Sequence, residues 1–172
     1  MKIGICSDSH DHMPHLEKAM LEFAKRGAEA VIHAGDFVAP FTVDALKLAG
    51  CPIYSVYGNC DGERRGLERR MSEVEGELNL EPHIYELGGK RFVVMHHPEW
   101  VNAFAREELA DVVVHGHTHE LRIEKRDKTW IINPGEVYGR LSQGPSVVWF
   151  DTEIGEPQVI WLRDLPDEKK EA

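Results

Sequence analysis

A chain of 172 residues, 42% of them hydrophobic, with 15 Gly and 9 Pro, fits a single soluble globular domain large enough to bury a core. Its 30 acidic against 20 basic residues give a formal net charge of −10, which argues against a protein that holds polyanions on a broad basic face. No apolar run approaches the roughly 20 residues needed to span a bilayer, so no membrane partner is expected.

Strand and helix alternate through the first half. "KIGIC" (2–6) predicts a strand running from the second residue, with no leader read before it. "MPHLEKAMLEFAKRG" (13–27) carries Leu16, Met20, Phe23 and Ala24 at helical spacing and predicts an amphipathic helix stopped at Gly27. "AEAVIHA" (28–34) predicts a second strand, "PFTVDALKLAG" (40–50) a second helix and "PIYSVY" (52–57) a third strand. This β-α-β-α-β order implies a parallel sheet with right-handed crossovers. The charged stretch 63–79 is expected to be a surface helix or loop, with Arg64, Arg65, Arg69 and Arg70 on a solvated face.

The second half is richer in strands. Residues 83–96 predict two strands joined by a Gly-Gly turn, and "AREELA" (105–110) a short helix before the strand "DVVV". Residues 121–135 predict a hairpin, and 146–162 two more short strands around a loop. The expectation is an α/β fold: a two-sheet β-sandwich flanked by helices, one domain over 1–165 with a solvated tail at 166–172.

Polar groups gather where these apolar strands end. The first strand runs into "SDSH" (Asp8, His10), the second into "GD" (Asp36), the third into "GNCD" (Asn59, Asp61). "FVVM" runs into "HH" (His96, His97) and "DVVV" into "HGHTH" (His117, His119). Loops beyond the carboxyl ends of parallel strands share one rim, so five segments are expected to bring these groups to one edge of one sheet. Within Asp8-x-His10 and His117-x-His119, an extended backbone would point both side chains to one side. Gly35, Gly58 and Gly116 stand where a turn or close approach is needed. Oxygen and imidazole donors without thiolate suit manganese, iron, nickel or zinc at a catalytic centre rather than structural zinc. The donors are too many for one ion with open positions and about right for two that share a carboxylate.

Not every candidate group belongs to such a site. Single histidines such as His33, His83, His15 and His115 are read as structural or solvent-facing, and "NPG" (133–135) as a turn. The three cysteines form no CxxC pair; Cys6 and Cys51 read as core residues. Reduced thiols and a cytoplasmic location are expected.

"DSH", "GD", "GNCD", a His after a strand and "GHTH", in that order, closely resemble the calcineurin-like metallophosphoesterases. The "SDSHDH" and "GNCD" segments are most similar to the small YfcE-type phosphodiesterase branch, and the likeness extends through "INPGE" (132–136). The resemblance implies that Asp8, His10, Asp36 and His119 hold one divalent metal. Asp36 would bridge to a second, completed by Asn59, His96 and His117. It further implies phosphate-ester hydrolysis through an activated hydroxide, with manganese foremost and nickel, iron or zinc as alternatives. Cys60 stands where many members carry a His that protonates the leaving group, and His97 where a glycine is common. Cys60 is therefore read either as a packing residue or as a group beside the leaving group, and Asp61 is placed behind an imidazole. His12 and His97 are placed within reach of the substrate or a proton.

The reading is a dinuclear-metal phosphodiesterase acting on a small or nucleotide-like diester. The alternatives are a phosphomonoesterase or nucleotidase on the same site, or a non-catalytic scaffold of the same fold. No stable nucleic-acid complex is expected, and a homo-oligomer is compatible with the resemblance.

Overall fold

Side chains alternate across the first strand, β1 (Lys2–Cys6), in a way that sets out the layers of the molecule. Ile3 and Ile5 face a second sheet, whereas Gly4 and Cys6 face a helix. A Cβ on Gly4 would fall 2.4 Å from the Phe23 ring, so the absence of a side chain lets the helix settle onto the strand. These relations come from a computed structural model that describes residues 1–107 and 109–166. Most of the tail expected at 166–172 lies outside the described residues, as does Glu108 of the expected helix 105–110.

The helix against β1 is α1 (Met13–Lys25), which buries Leu16, Ala19, Met20 and Phe23 at the predicted spacing. It is followed by β2 (Ala30–His33), a single α-helical turn α2 (Val43–Leu46) and β3 (Ile53–Val56). The helix expected at 40–50 is thus one α turn between two 3-10 turns, Pro40–Thr42 and Lys47–Ala49. The charged stretch at 63–79 holds α3 (Arg64–Met71) and, against expectation, a strand, β4 (Gly76–Asn79), paired in parallel with β3. Six strands make the first sheet: β10 (Ser146–Asp151) lies antiparallel beside β1, and β11 (Pro157–Trp161) beyond it, giving the order β11-β10-β1-β2-β3-β4.

The second sheet begins with the predicted hairpin of β5 (His83–Leu87) and β6 (Lys90–Val94). α4 (Val101–Arg106) starts four residues before the expected helix and leads to β7 (Val112–Val114). β8 (Arg122–Arg126) and β9 (Thr129–Asn133) complete the order β5-β6-β7-β9-β8. β6, β7 and β9 are mutually parallel.

Burial follows the same alternation through both sheets. Ile3, Ile5, Ile32, Phe92, Val94, Val112, Val114, Ile132 and Phe150 form the core between the sheets. Phe23, Leu46, Ile53, Leu67 and Trp149 pack in the core beneath α1–α3, and Val93, Val113 and Ile131 beneath α4. Helix, sheet, sheet, helix is the layered sandwich expected. One expectation is corrected. The carboxyl ends of β1–β3 belong to the first sheet and those of β6 and β7 to the second, so the polar rim straddles two facing sheets rather than the edge of one.

Candidate metal centre

Asp8, His10, Asp36, His117 and His119 all have positive φ, from 41° to 68°. The pairs Asp8/His10 and His117/His119 therefore converge through left-handed turns and not, as expected, through extended backbone. Such angles are costly for residues other than glycine and persist where the surroundings impose them. Two neighbouring glycines leave the room these turns need. A Cβ on Gly58 would lie 2.1 Å from an Asp36 carboxylate oxygen, and one on Gly116 would lie 2.1 Å from Ser7 Oγ.

The turns bring the seven predicted donors together. His10 Nε2 lies 3.8 Å from Asp8 Oδ1, 3.6 Å from Asp36 Oδ2 and 3.4 Å from His119 Nε2. His119 Nε2 is 3.4 Å from Asp8 Oδ1. On the other side of Asp36, His96 Nε2 lies 3.4 Å from its Oδ2 and 2.9 Å from Asn59 Oδ1, which is also 2.9 Å from His117 Nδ1. Donor atoms of Asp8, His10 and His119 lie within 4.8 Å of one another, as do those of Asp8, Asp36 and His96. Asp36 touches both sides, the position a shared ligand needs.

The protonation pattern fits cations. His96 Nδ1 lies 2.8 Å from the Ala34 carbonyl, which can only accept, so Nδ1 donates and a neutral ring presents its Nε2 lone pair to the pocket. His119 is fixed likewise, with Nδ1 2.8 Å from Glu136 Oε2. Lone pairs on imidazole nitrogens thus converge with two buried carboxylates, Asp8 at 0% and Asp36 at 2% exposure. Only positive charge reconciles them. The demand shows in His96: burial alone would lower its pKa, but the hydrogen bond and charge of Asp36, with Asp8 behind, push it up to about 9. Burial raises the pKa of Asp8. Burial also opposes ionisation of Asp36, but His96 and the Cys60 amide outweigh it and hold the carboxyl well below the usual range. This donor set of carboxylates, one amide and imidazoles fits divalent cations of the manganese-to-zinc series.

Other expectations fare differently. Asp61 does not orient an imidazole; its buried carboxylate accepts the backbone N–H groups of Gly58 (2.7 Å), Val38 (2.8 Å) and Asp36 (3.1 Å). It binds two site loops to each other. Cys60 is at the site: its amide donates to Asp36 Oδ1 at 2.8 Å, and its exposed thiol is pushed up to about 11 by partial burial and then by Asp36. His97 also faces the cluster, its ring centroid 4.6 Å from that of His117. His12 caps α1, its Nδ1 accepting the His15 amide at 3.3 Å. His33 is structural, stacked on Phe37 and bonded to Ser9 Oγ at 3.1 Å.

Three supporting residues were not anticipated. Glu136, at 0% exposure, holds the His119 ring and accepts from the Leu141 and Ser142 amides. Glu81 accepts the backbone N–H groups of His96 and His97 and the His97 ring. Asn133 of the "NPG" turn donates to Thr118 Oγ1 at 2.9 Å and the Gly116 carbonyl at 3.2 Å, bracing the "HGHTH" loop. The sequence signal for Glu136 was its place in "INPGE"; nothing in the pattern marked Glu81.

Two facing sheets whose strand ends bring buried carboxylates against imidazoles define a metallophosphoesterase-type sandwich. Residues 1–155 match the calcineurin-like phosphoesterase superfamily domain, and the chain belongs to that family, whose members use divalent metal cofactors. The chain is 38% identical to phosphodiesterase MJ0936 of Methanocaldococcus jannaschii over 165 residues, covering 94% of this chain and 99% of the relative. It is 29% identical to phosphodiesterase YfcE of Escherichia coli, over 80% of this chain and 79% of that one. A solved structure of an archaeal phosphodiesterase superposes with a TM-score of 0.88 at 37% identity, covering 94% of this chain and 99% of the other. No helix among the described residues is long and apolar enough to cross a membrane.

Proposed function

We propose that this chain is a dinuclear-metal phosphodiesterase that hydrolyses a small or nucleotide-like phosphate diester. The observation that carries the reading is the convergence of tethered imidazoles on two buried carboxylates, with Asp36 between the two groups of donors. Asp8, His10, Asp36 and His119 would hold one cation; Asp36, Asn59, His96 and His117 would hold the other. When bound, such a pair supplies charge neutralisation for the phosphate oxygens and lowers the pKa of water toward neutrality. Manganese is the first candidate, with nickel, iron and zinc also compatible with the donors.

The chain's own residues contribute orientation and access. Glu136 and the Ala34 carbonyl hold His119 and His96 in the tautomer that directs Nε2 inward. Asp61 keeps the Asp36 and Asn59 loops in register. Asn59, Cys60 and His117 are exposed, so the Asn59 side of the pocket is the side open to an arriving ester. Cys60 is a weak acid there, since its thiol is raised to about 11. Weak acid assistance favours esters whose alcohol departs with little help, and the likeness to relatives named as phosphodiesterases supports a diester. The net charge of −10 supports a small substrate over a long nucleic acid.

The test is to strip the protein of metal, restore manganese, and compare bis-p-nitrophenyl phosphate with p-nitrophenyl phosphate. Faster, manganese-dependent turnover of the diester is expected. Preference for the monoester would transfer the assignment to a phosphomonoesterase, and turnover of neither would leave only the fold.

A further inference from the structure

His97 and Glu81 form a pair that the two-cation reading does not use. Glu81 Oε1 accepts the His97 ring at Nδ1, while its Oε2 accepts the backbone N–H groups of His96 and His97. One carboxylate thereby fixes both the loop and the rotation of the ring. With Nδ1 donating to Glu81, a neutral His97 ring carries its lone pair on Nε2. Carboxylate behind and Nε2 free is the same arrangement that Glu136 imposes on His119. The neighbours of His97 are imidazoles: ring centroids lie 5.0 Å away at His96 and 4.6 Å away at His117. Donor nitrogens of these three residues lie within 4.8 Å of one another.

A Glu–His pair at a surface is often no more than a polar contact, but two features here exceed that. The ring is only 33% exposed, with a carboxylate partner 26% exposed, so the pair is partly withdrawn from water. It is also packed against two further imidazoles, so that three ring nitrogens come close enough to share one cation.

We propose that His97, held by Glu81, is an additional imidazole ligand on the Asn59–His96–His117 side of the centre and biases that position toward nickel or zinc over manganese. The inference rests on the two-cation reading and sharpens it. Three imidazoles, one amide and one shared carboxylate make that position nitrogen-rich, whereas the Asp8 side has two carboxylates and two imidazoles. Imidazole donors suit nickel and zinc, and oxygen donors suit manganese.

Calorimetric titration of metal-stripped wild type and His97→Ala with nickel, zinc and manganese tests this. Wild type is expected to bind two ions. In His97→Ala one site should weaken about ten- to hundredfold for nickel and zinc, the range for a lost ligand-orienting or ligating contact, and by a smaller factor for manganese. A second measurement is independent of affinity. In the cobalt-loaded proteins, exchangeable imidazole N–H protons beside the paramagnetic ion shift out of the normal proton NMR range. His97→Ala should show one fewer such signal than wild type. An unchanged signal count, or nickel affinities equal to wild type, would overturn the role of His97 while leaving the two-cation reading intact. Wild type binding fewer than two ions would overturn both.

Discussion

The two sheets contribute opposite chemistry to the rim they share. Loops after β1, β2 and β3 bring mostly carboxylates and an amide (Asp8, Asp36, Asn59 and Asp61), with the imidazoles of His10 and, at the cap of α1, His12. Loops after β6 and β7 bring imidazoles to the donor cluster, namely His96, His97, His117 and His119. Their supports are opposite too. The carboxylates are held by backbone donors, as Asp36 is by the Cys60 amide and Asp8 by the His117 amide. The imidazoles are held by acceptors behind them, as His119 is by Glu136 and His96 by the Ala34 carbonyl just beyond β2. The first sheet lacks His96, His117 and His119, and the second lacks Asp8 and Asp36, so the full donor set assembles only where the sheets meet. The core between them is therefore as much a requirement of the site as the ligands are.

The largest effect should come from that core. Phe92 of the second sheet meets Phe150 of the first edge to face, with centroids 5.8 Å apart and both rings buried. Phe92→Ala should cost about 3–5 kcal/mol of stability, through lost transfer energy and a cavity. Chemical denaturation of the metal-free protein measures this; a loss below about 1 kcal/mol would show that the sheets are held together by other means. Next in size is the residue that serves both sheets' donors. Asp36→Asn keeps the shape and removes the charge, and should lower diester turnover by roughly a hundredfold to a thousandfold, as expected for removal of a principal electrostatic group. Turnover that recovers fully at high manganese would mean that Asp36 acts only through affinity at one position.

How much of this was legible in the sequence depends on what each residue contacts. β1, β2, β3, β6 and β7 announced themselves because strands buried on both faces need near-continuous runs such as "AVI" and "VVV". The seven proposed ligands were legible because each closely follows such a run, and parallel topology sends those ends to one side. β4 was not, since "GELN" carries one apolar residue and is held as an edge by its pairing with β3. α4 was placed too late because "AREELA" has the stronger helical composition, whereas Val101 and Ala105 provide the buried face. That the rim belongs to two sheets follows from packing that no local pattern encodes. Glu81 and Glu136 were missed for a related reason. Their partners His97 and His119 lie 16 and 17 residues away along the chain, at separations set by the fold alone.

Glu136 offers the next test of the contrast in supports. Its carboxylate is completely buried, held below its usual pKa range despite burial by Ser142, the His119 ring and two amides. Glu136→Gln leaves a group of the same size that accepts more weakly and brings an N–H of its own. If acceptors behind the imidazoles set their basicity and aim, cation affinity on the Asp8 side should fall about ten- to hundredfold. The Asn59 side should change far less. Equal weakening at both sides would mean that Glu136 acts by holding the 141–142 loop and not through His119.

A further contrast concerns an imidazole on the carboxylate-bearing sheet that is not a ligand. His33 ends β2, accepts the Gly35 N–H at Nδ1 (3.2 Å) and bonds Ser9 Oγ at Nε2 (3.1 Å), so both nitrogens are used internally by the neutral ring. Burial lowers its pKa to about 3, whereas an unfolded histidine titrates near 6.5. Between those values the unfolded chain binds a proton that the folded protein does not. Stability is therefore fully present above about pH 6.5 and declines as pH falls toward 3. His33→Gln should lack that contribution, so its stability curve should fall less steeply than wild type between about pH 6 and pH 4. Denaturant melts of the two metal-free proteins across that range decide the matter. Parallel curves would show that His33 becomes protonated without unfolding, and that burial on this sheet does not hold an imidazole neutral.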